Sequence, residues 1–396
     1  MKPYPYQEIG RDFLASRKRA LLADRMGLGK TVQAILAAKK IGALNTLVVA
    51  PASTIPNWEA EWDAWEGPGH VRFVSYSKLI YEQTHGYAPD LIIMDESHYC
   101  KNPLAKRTRT TLGIASRATY AWALTGTPMP NDPTELYPAF KYLWPEKLDE
   151  LGIKTPDAWM RRFCLTRYTE YGEKPYAVKN GALLRTMLED VMLRRGLGDV
   201  GFDLPPLRVD LHRFPKTEVD LSEYADYDGQ GEEAYNATLR RLLGLAKAGP
   251  VASQIVGELD EGQYNQIVVL YYHNDTRDVL RDAFDKGGVS VVGFGGSANA
   301  TQRADAIATF QAGGAQVFLA QQTAAGTGLN LQSAHEIVLV EPAWSPVPNQ
   351  QAITRIHRIG QDSPCRARIF TVAGTIDESI IGAIKTKLQM QTTIGL

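Results

Sequence analysis

Two sets of short, apolar, β-branched runs on either side of a proline pair constrain this chain more than any other feature. Runs at 47–50, 91–94 and 120–124 precede Asp203-Leu204-Pro205-Pro206; runs at 267–272, 290–293, 317–320, 337–340 and 369–372 follow it. Turn residues bound each run, and helical patterns such as 32–40 and 302–310 lie between them. Short continuous apolar runs read as strands buried on both faces, and their alternation with helices reads as parallel sheet. Two successive prolines suit neither a helix interior nor a central strand. The expected fold is α/β in two tandem units, 1–205 and 206–396, each a mostly parallel sheet flanked by helices.

Composition narrows the class further. Forty-three basic and 44 acidic residues among 396 leave a formal net charge of −1, which excludes a highly basic nucleic-acid-coating protein but not a local basic track. Cut after Pro205, the first part holds 27 basic and 23 acidic residues and the second 16 and 21, so the first is the more basic half. The acidic stretch from Glu218 to Glu233 reads as a solvated face or loop, or as a surface that repels DNA. Three widely spaced cysteines without a CxxC pair argue against a disulfide framework or a cysteine-held zinc, and fit a reducing cytosol. The N-terminus shows no secretory pattern and no apolar run is long enough to span a bilayer, so no membrane partner is expected.

Three local patterns carry chemistry. Asp24-Arg25-Met26-Gly27-Leu28-Gly29-Lys30-Thr31 lies between an apolar stretch at 20–23 and a helical run at 31–40, the strand–loop–helix context of a phosphate-binding loop. Gly27 and Gly29 let the backbone from Met26 to Gly29 approach phosphate oxygens, and the helix N-terminus adds unpaired N–H groups. Lys30 would reach the β/γ-phosphates, and Thr31 would ligate Mg²⁺. The alternative is an ordinary glycine-rich turn with a solvent lysine. In the second pattern, Leu91-Ile92-Ile93-Met94-Asp95-Glu96-Ser97-His98, an apolar strand ends in two carboxylates. Asp95 suits Mg²⁺ held through water, and Glu96 suits orienting or deprotonating an attacking water; a helix-capping pair is the plainer reading. His98 could link sites from a buried position. In the third pattern, Arg355 and Arg358 stand three apart, so on a helix they share a face and could converge on a transferring γ-phosphoryl group; a basic surface turn is the alternative.

Taken in order, these patterns resemble those of the superfamily 2 helicase-like ATPases, specifically the Swi/Snf-type DNA translocases, over nearly the whole chain. Tyr6-Gln7 resembles the opening PYQ element, DRMGLGKT the D-x-MGLGKT motif, and 51–58 (PASTIPNW) the PxSxxxNW element. DESH with Lys101-Asn102, LTGTP at 124–128, MLRR at 192–195 with Leu204-Pro205, AAGTGLNL at 324–331 and RIHRIGQ at 355–361 follow in the family's sequence. Within the family, the strings are most similar to the annealing-helicase branch.

The resemblance implies two RecA-like lobes with an ATP cleft between them. Its ATP-binding residues would be Gln7, Met26, Gly27, Leu28, Gly29, Lys30, Thr31 and Gly328, with Thr31 and Asp95 holding Mg²⁺. Lys30, Asp95, Glu96 and the arginine fingers Arg355 and Arg358 would carry catalysis; His98, Thr125 and Gln351 would couple hydrolysis to lobe movement. Ser53, Lys101, Ser297 and Thr323 would contact the backbone of duplex DNA, forked DNA included, without reading sequence. A monomer in the cytoplasm of a bacterial or phage-infected cell is the accompanying expectation. Arg25, Leu197, Thr327 and Ser345 depart from the family pattern.

The basic run after DESH (Lys106, Arg107, Arg109, Arg117) could track phosphates or form a solvated helix face. Trp58, Trp62 and Trp65, at i, i+4 and i+7, read as a core helix face rather than a base-stacking platform. Two other functional readings remain open: a strand-separating helicase or restriction-system motor, and a nucleotide-gated DNA-binding module without turnover.

Overall fold

A computed structural model describes residues 2–82, 87–169, 172–201, 203–225, 232–325 and 329–396. The chain divides into two compact units, 1–202 with 386–396, and 203–385.

In the first unit the strands are β1 (Arg19–Leu22), β2 (Asn45–Ala50), β3 (His70–Ser75), β4 (Leu91–Asp95), β5 (Tyr120–Leu124), a hairpin β6 (Cys164–Thr169) and β7 (Gly172–Val178), and a short β8 (Met192–Leu193). Six of them form one sheet in the order β3-β2-β4-β5-β1-β8, every pairing parallel. The hairpin is a separate antiparallel pair. In the second unit β9 (Leu207–Phe214), β10 (Ile267–Tyr271), β11 (Val291–Phe294), β12 (Val317–Gln321), β13 (Glu336–Leu339) and β14 (Cys365–Val372) pair in parallel in the order β11-β12-β10-β13-β14-β9. Two α/β lobes built on parallel sheets are therefore present, as the alternating runs predict.

Each sheet is covered on both faces. In the first unit one face packs on Trp58, Trp62, Ala34, Ile35 and Ala38, the other on Tyr137, Phe140, Trp159, Phe163 and Leu184. In the second, Leu243, Ile255 and Phe284 lie on one face and Phe310 and Ile356 on the other. Burial on both faces explains why the central strands read as continuous apolar runs rather than alternating ones.

β1 is the apolar stretch read before the phosphate loop, whereas β3, β6, β7, β8 and β9 are not among the strands expected. β9 is an edge strand, with Val209 and Leu211 about half exposed, so it lacks the uninterrupted apolar run of a central strand. Its first residue directly follows Pro206, so the proline pair marks the entry to the second sheet. The end of the chain also differs from the 206–396 assignment. Helix Ile376–Thr393 starts in the second unit, but residues 386–396 belong to the first, where Met390 and Ile394 are buried in the core. Gln391 Nε2 donates to the Met129 carbonyl at 2.9 Å, and Arg185 donates to the Thr393 carbonyl at 2.9 Å. A tally of strands and helices carries no information about this return.

Among the described residues no helix is long and apolar enough to cross a membrane. The three cysteines are free and buried. Helix Lys30–Ile41 buries Val32, Gln33, Ala34, Ile35, Ala37 and Ala38. On the same helix Lys39 Nζ donates to the Trp65 carbonyl at 3.1 Å.

Candidate nucleotide-binding and coupling site

The loop between β1 and helix Lys30–Ile41 has the backbone a phosphate cradle needs. Gly27 and Gly29 both have positive φ, 91° and 65°. At Gly29 a second constraint applies: a Cβ there would lie 2.5 Å from Gln7 Nε2. Glycine is thus required both by conformation and by the approach of Gln7. Gln7 is buried, and its Oε1 accepts from the Tyr4 N–H at 3.0 Å, so its amide is oriented by the N-terminal helix. Lys30 Nζ donates to the Asp24 carbonyl at 2.7 Å, across the loop it belongs to.

Asp24, which stands where a phosphate loop usually begins with glycine, is fully buried. It takes Arg195 Nε at 3.0 Å on one oxygen and Nη2 at 2.6 Å on the other, with Gln33 Nε2 at 3.0 Å. Arg195 also donates to the Tyr6 carbonyl at 2.7 Å and to Gln33 Oε1 at 2.9 Å. One guanidinium therefore ties the phosphate loop to the N-terminal helix and to the segment after β8. The motif strings contain both residues but carry no signal that they pair, because 171 residues separate them.

Asp95 ends β4. Its carboxylate accepts the Trp58 indole N–H at 2.8 Å and the Glu96 N–H at 3.0 Å. Burial pushes its pKa up to about 6, with Glu96 adding to the rise and the Trp58 hydrogen bond, Lys30 and the Glu96 N–H opposing it. Lys30 acts on this carboxylate through its charge, while its ammonium is hydrogen-bonded to the Asp24 carbonyl. Trp58 and Trp62 are core residues as their spacing predicts, while Trp65 is half-buried. The indole bond to Asp95 adds a task that helical periodicity cannot show.

Glu96 adopts a left-handed backbone, φ 47° and ψ 50°. Such a conformation is unusual outside glycine and asparagine and gathers at functional positions. Its carboxylate lies 3.2 Å from His98 Nδ1, and the same nitrogen lies 3.0 Å from Thr125 Oγ1. Thr125 Oγ1 in turn accepts from the Thr127 N–H at 3.1 Å. Gly126 packs so closely on the phosphate loop that a Cβ would sit 3.0 Å from the Met26 side chain. The phosphate loop, the carboxylate pair and the 124–128 segment thus form one contiguous assembly within the first unit.

That assembly fits Mg²⁺. Among the described residues no group of three or more His, Cys, Asp or Glu could hold a metal by itself. Mg²⁺ keeps most of its waters and takes one or two protein oxygens plus phosphate, so a carboxylate at a strand end and a hydroxyl at a phosphate loop are the kind of donors it uses. Asp95 and Thr31 are the residues that would hold it.

In the second unit, Arg355 and Arg358 do not share a helix. Helix Pro346–Ile353 ends before them, and they sit in the turns that follow. They still converge: Arg355 Nη1 lies 3.5 Å and Arg358 Nη1 3.0 Å from the Leu329 carbonyl. Burial lowers the Arg358 pKa from its usual range. Gln361 holds this turn, its amide donating to the carbonyls of Gln332, Ala334 and Ile356 at 3.0–3.1 Å while its oxygen accepts the N–H groups of Asp362 and Ser363. Gln351 is half-buried on the preceding helix. Gly328, expected at the nucleotide, lies outside the described residues, as does Thr327.

The expected DNA contacts divide. Ser53, Ser297 and Thr323 are exposed. Lys101 is committed to Glu135, 2.6 Å away, which also accepts from the Asn131 backbone at 2.7 Å. Lys106, Arg107, Arg109 and Arg117 are exposed along helix Lys106–Arg117.

With this geometry in view, comparison with known proteins decides the family. The SNF2-related domain matches residues 6–85 and 74–249, and the helicase conserved C-terminal domain matches 251–360. The chain belongs to the SNF2-related family. One relative of this SNF2-related chain is human (Homo sapiens) "DNA annealing helicase and endonuclease ZRANB3", 28% identical over 98% of this chain and 40% of the relative. The "SWI/SNF-related matrix-associated actin-dependent regulator of chromatin subfamily A-like protein 1" of Xenopus tropicalis is 28% identical over 99% of this chain and 45% of its own. The chain thus spans less than half the length of these curated relatives. The "Sulfolobus solfataricus SWI2/SNF2 ATPase core in complex with dsDNA" aligns at 21% identity over 100% of this chain and 95% of that one, with a TM-score of 0.46.

Proposed function

We propose that this SNF2-related chain hydrolyses ATP to move along the backbone of duplex DNA, remodelling or reannealing branched DNA rather than reading its sequence. The observation that carries the reading is the contiguous path from Asp95 and Glu96 at the end of β4 through His98 to Thr125, with Gly126 packed on the phosphate loop.

Each group has a chemical task. The backbone around Gly27 and Gly29 and the N-terminus of helix Lys30–Ile41 bind the phosphates. Lys30 leaves the Asp24 carbonyl for the β/γ-phosphates; Thr31 and Asp95 would hold Mg²⁺, which would supply charge neutralisation at the phosphates. Glu96 orients the attacking water and takes its proton. Arg355 and Arg358 supply positive charge to the γ-phosphoryl group, where charge spreads in the transition state. His98, sharing one nitrogen between Glu96 and Thr125, passes the state of the carboxylate to the 124–128 segment. Gln351 and Gly328 belong to the same cycle on the second unit. Exposed Ser53, Ser297 and Thr323 contact phosphates, which positions the duplex without specifying bases. DNA as the partner is supported by the similarity to a DNA annealing helicase.

The test is steady-state phosphate release measured without nucleic acid and with single-stranded, duplex and forked DNA and RNA. Stimulation by duplex or forked DNA supports the proposal. Equal rates with and without every DNA overturn it.

A further inference from the structure

The β6–β7 hairpin belongs neither to the sheet nor to the nucleotide assembly. Its base is fixed to the helix Pro156–Phe163 that precedes it. The Lys179 N–H donates to the Phe163 carbonyl at 2.8 Å, and Asn180 Nδ2 to the Arg162 carbonyl at 2.8 Å. That helix is anchored in turn: Trp159 and Phe163 are fully buried, and the Trp159 indole donates to the Pro133 carbonyl at 2.8 Å. The stem therefore stands on a rigid base that starts just beyond the 124–128 segment.

The ribbon itself is built against its own stability. Arg167 is paired directly across from Lys174, and both are exposed. Like charges directly opposite one another destabilise a strand pair. Neither has a carboxylate partner among the described residues. Glu173, the nearest acid in the register, is instead hydrogen-bonded by Thr166. From 161 to 179 the sequence has five basic residues and two acidic ones.

Strand alternation places Tyr168 on the opposite face from Arg167 and Lys174. Its ring is 87% exposed, a large cost in water-exposed apolar surface for a residue one step from the strand end. A bulge between Leu165 and Thr166 leaves Tyr176 as an extra residue, also exposed. One face thus carries an unneutralised cation pair and the other an unpacked aromatic ring. A phosphate backbone suits the first, and an unstacked base suits the second, because aromatic rings stack on bases of any identity.

We propose that this hairpin engages branched DNA where its strands part, the Arg167–Lys174 face lying along one backbone and Tyr168 stacking on an unpaired base. The proposal rests on the reading of the chain as a DNA-dependent translocase and adds to it a preference for a junction over a continuous duplex. A purely electrostatic arm would need no exposed tyrosine, and a protein-docking strand would not face its partner with two adjacent unpaired cations.

The test uses the full chain and two probes: a blunt duplex, and the same duplex extended by two non-complementary oligothymidine arms. Wild type binds the forked probe more tightly than the blunt one. Tyr168→Ala lowers forked-probe affinity by roughly fivefold or more, the stacking contribution of one base, and leaves blunt-duplex affinity and duplex-stimulated hydrolysis within about twofold. Tyr168→Phe, which keeps the ring, restores forked-probe affinity. Replacing Arg167 and Lys174 together by alanine lowers the slope of log affinity against log salt on the forked probe by about 1.5, the value for two phosphate contacts. If hydrolysis by wild type responds to duplex DNA but these variants bind the forked probe as wild type does, the hairpin assignment is wrong and a protein partner becomes the better occupant. If wild-type hydrolysis responds to no DNA, the translocase reading itself fails.

Discussion

Replacing Asp24 by asparagine isolates the one buried ion pair in the phosphate loop. The Asp24 side chain is 0% exposed and that of Arg195 10%. An amide offers a single acceptor oxygen, so it cannot meet both Nε and Nη2, and its NH₂ faces donors already present on Arg195 and Gln33. Removing one partner of a buried pair costs about 3–5 kcal/mol, mostly from the charge left behind. Arg195 keeps the Tyr6 carbonyl and Gln33 Oε1, which places the expected cost near the lower end, about 3 kcal/mol. For a domain of this size each kcal/mol shifts Tm by about 2–4 °C, so a fall of about 6–12 °C is expected. Calorimetry should show it in the transition of the first unit, with a matching loss of affinity for a fluorescent ATP analogue, because the Asp24–Arg195 pair holds the start of the phosphate loop in place. Asp24→Leu with Arg195→Met should recover most of the Tm, since replacing both charges avoids the stranded guanidinium, but not the nucleotide affinity. A shift below about 1 °C in Asp24→Asn, with unchanged nucleotide affinity, would refute the clamp.

Lys30→Ala and Arg358→Ala are each expected to abolish ATP hydrolysis while leaving the fold intact by circular dichroism; retained turnover in Arg358→Ala removes the arginine from the phosphoryl chemistry. Trp58→Phe keeps the core packing but deletes the indole bond to Asp95, worth about 1.5–3 kcal/mol for a charged acceptor, and should lower kcat or raise the Mg²⁺ requirement roughly tenfold or more. Unchanged Mg²⁺ dependence and kcat would make that bond incidental. His98→Ala breaks the path from Glu96 to Thr125 and should reduce stimulation by DNA far more than the DNA-free rate; an equal loss in both would assign His98 to chemistry rather than coupling.

The parts legible in the sequence are those in which neighbouring residues act together. Gly27, Gly29 and Lys30 lie within four positions, and their backbone angles follow from that string. The parallel core strands announce themselves because both of their faces are buried. Pairings distant along the chain are not legible. Asp24 with Arg195, Trp58 with Asp95 and Gln391 with Met129 each depend on how sheets and helices stack, and no periodicity encodes them. The arginine pair shows a middle case: spacing of three suggested a helix face, whereas a turn held by Gln361 brings the two guanidiniums to one carbonyl. Lys101 shows the reverse, a basic residue whose charge is already met by Glu135.

Movement along duplex DNA is most directly tested by triplex displacement, in which a third strand is removed without separating the duplex. The account predicts displacement that requires ATP, occurs on blunt duplex and is lost in Lys30→Ala. ATP hydrolysis that responds to duplex DNA with no displacement of the third strand would contradict it.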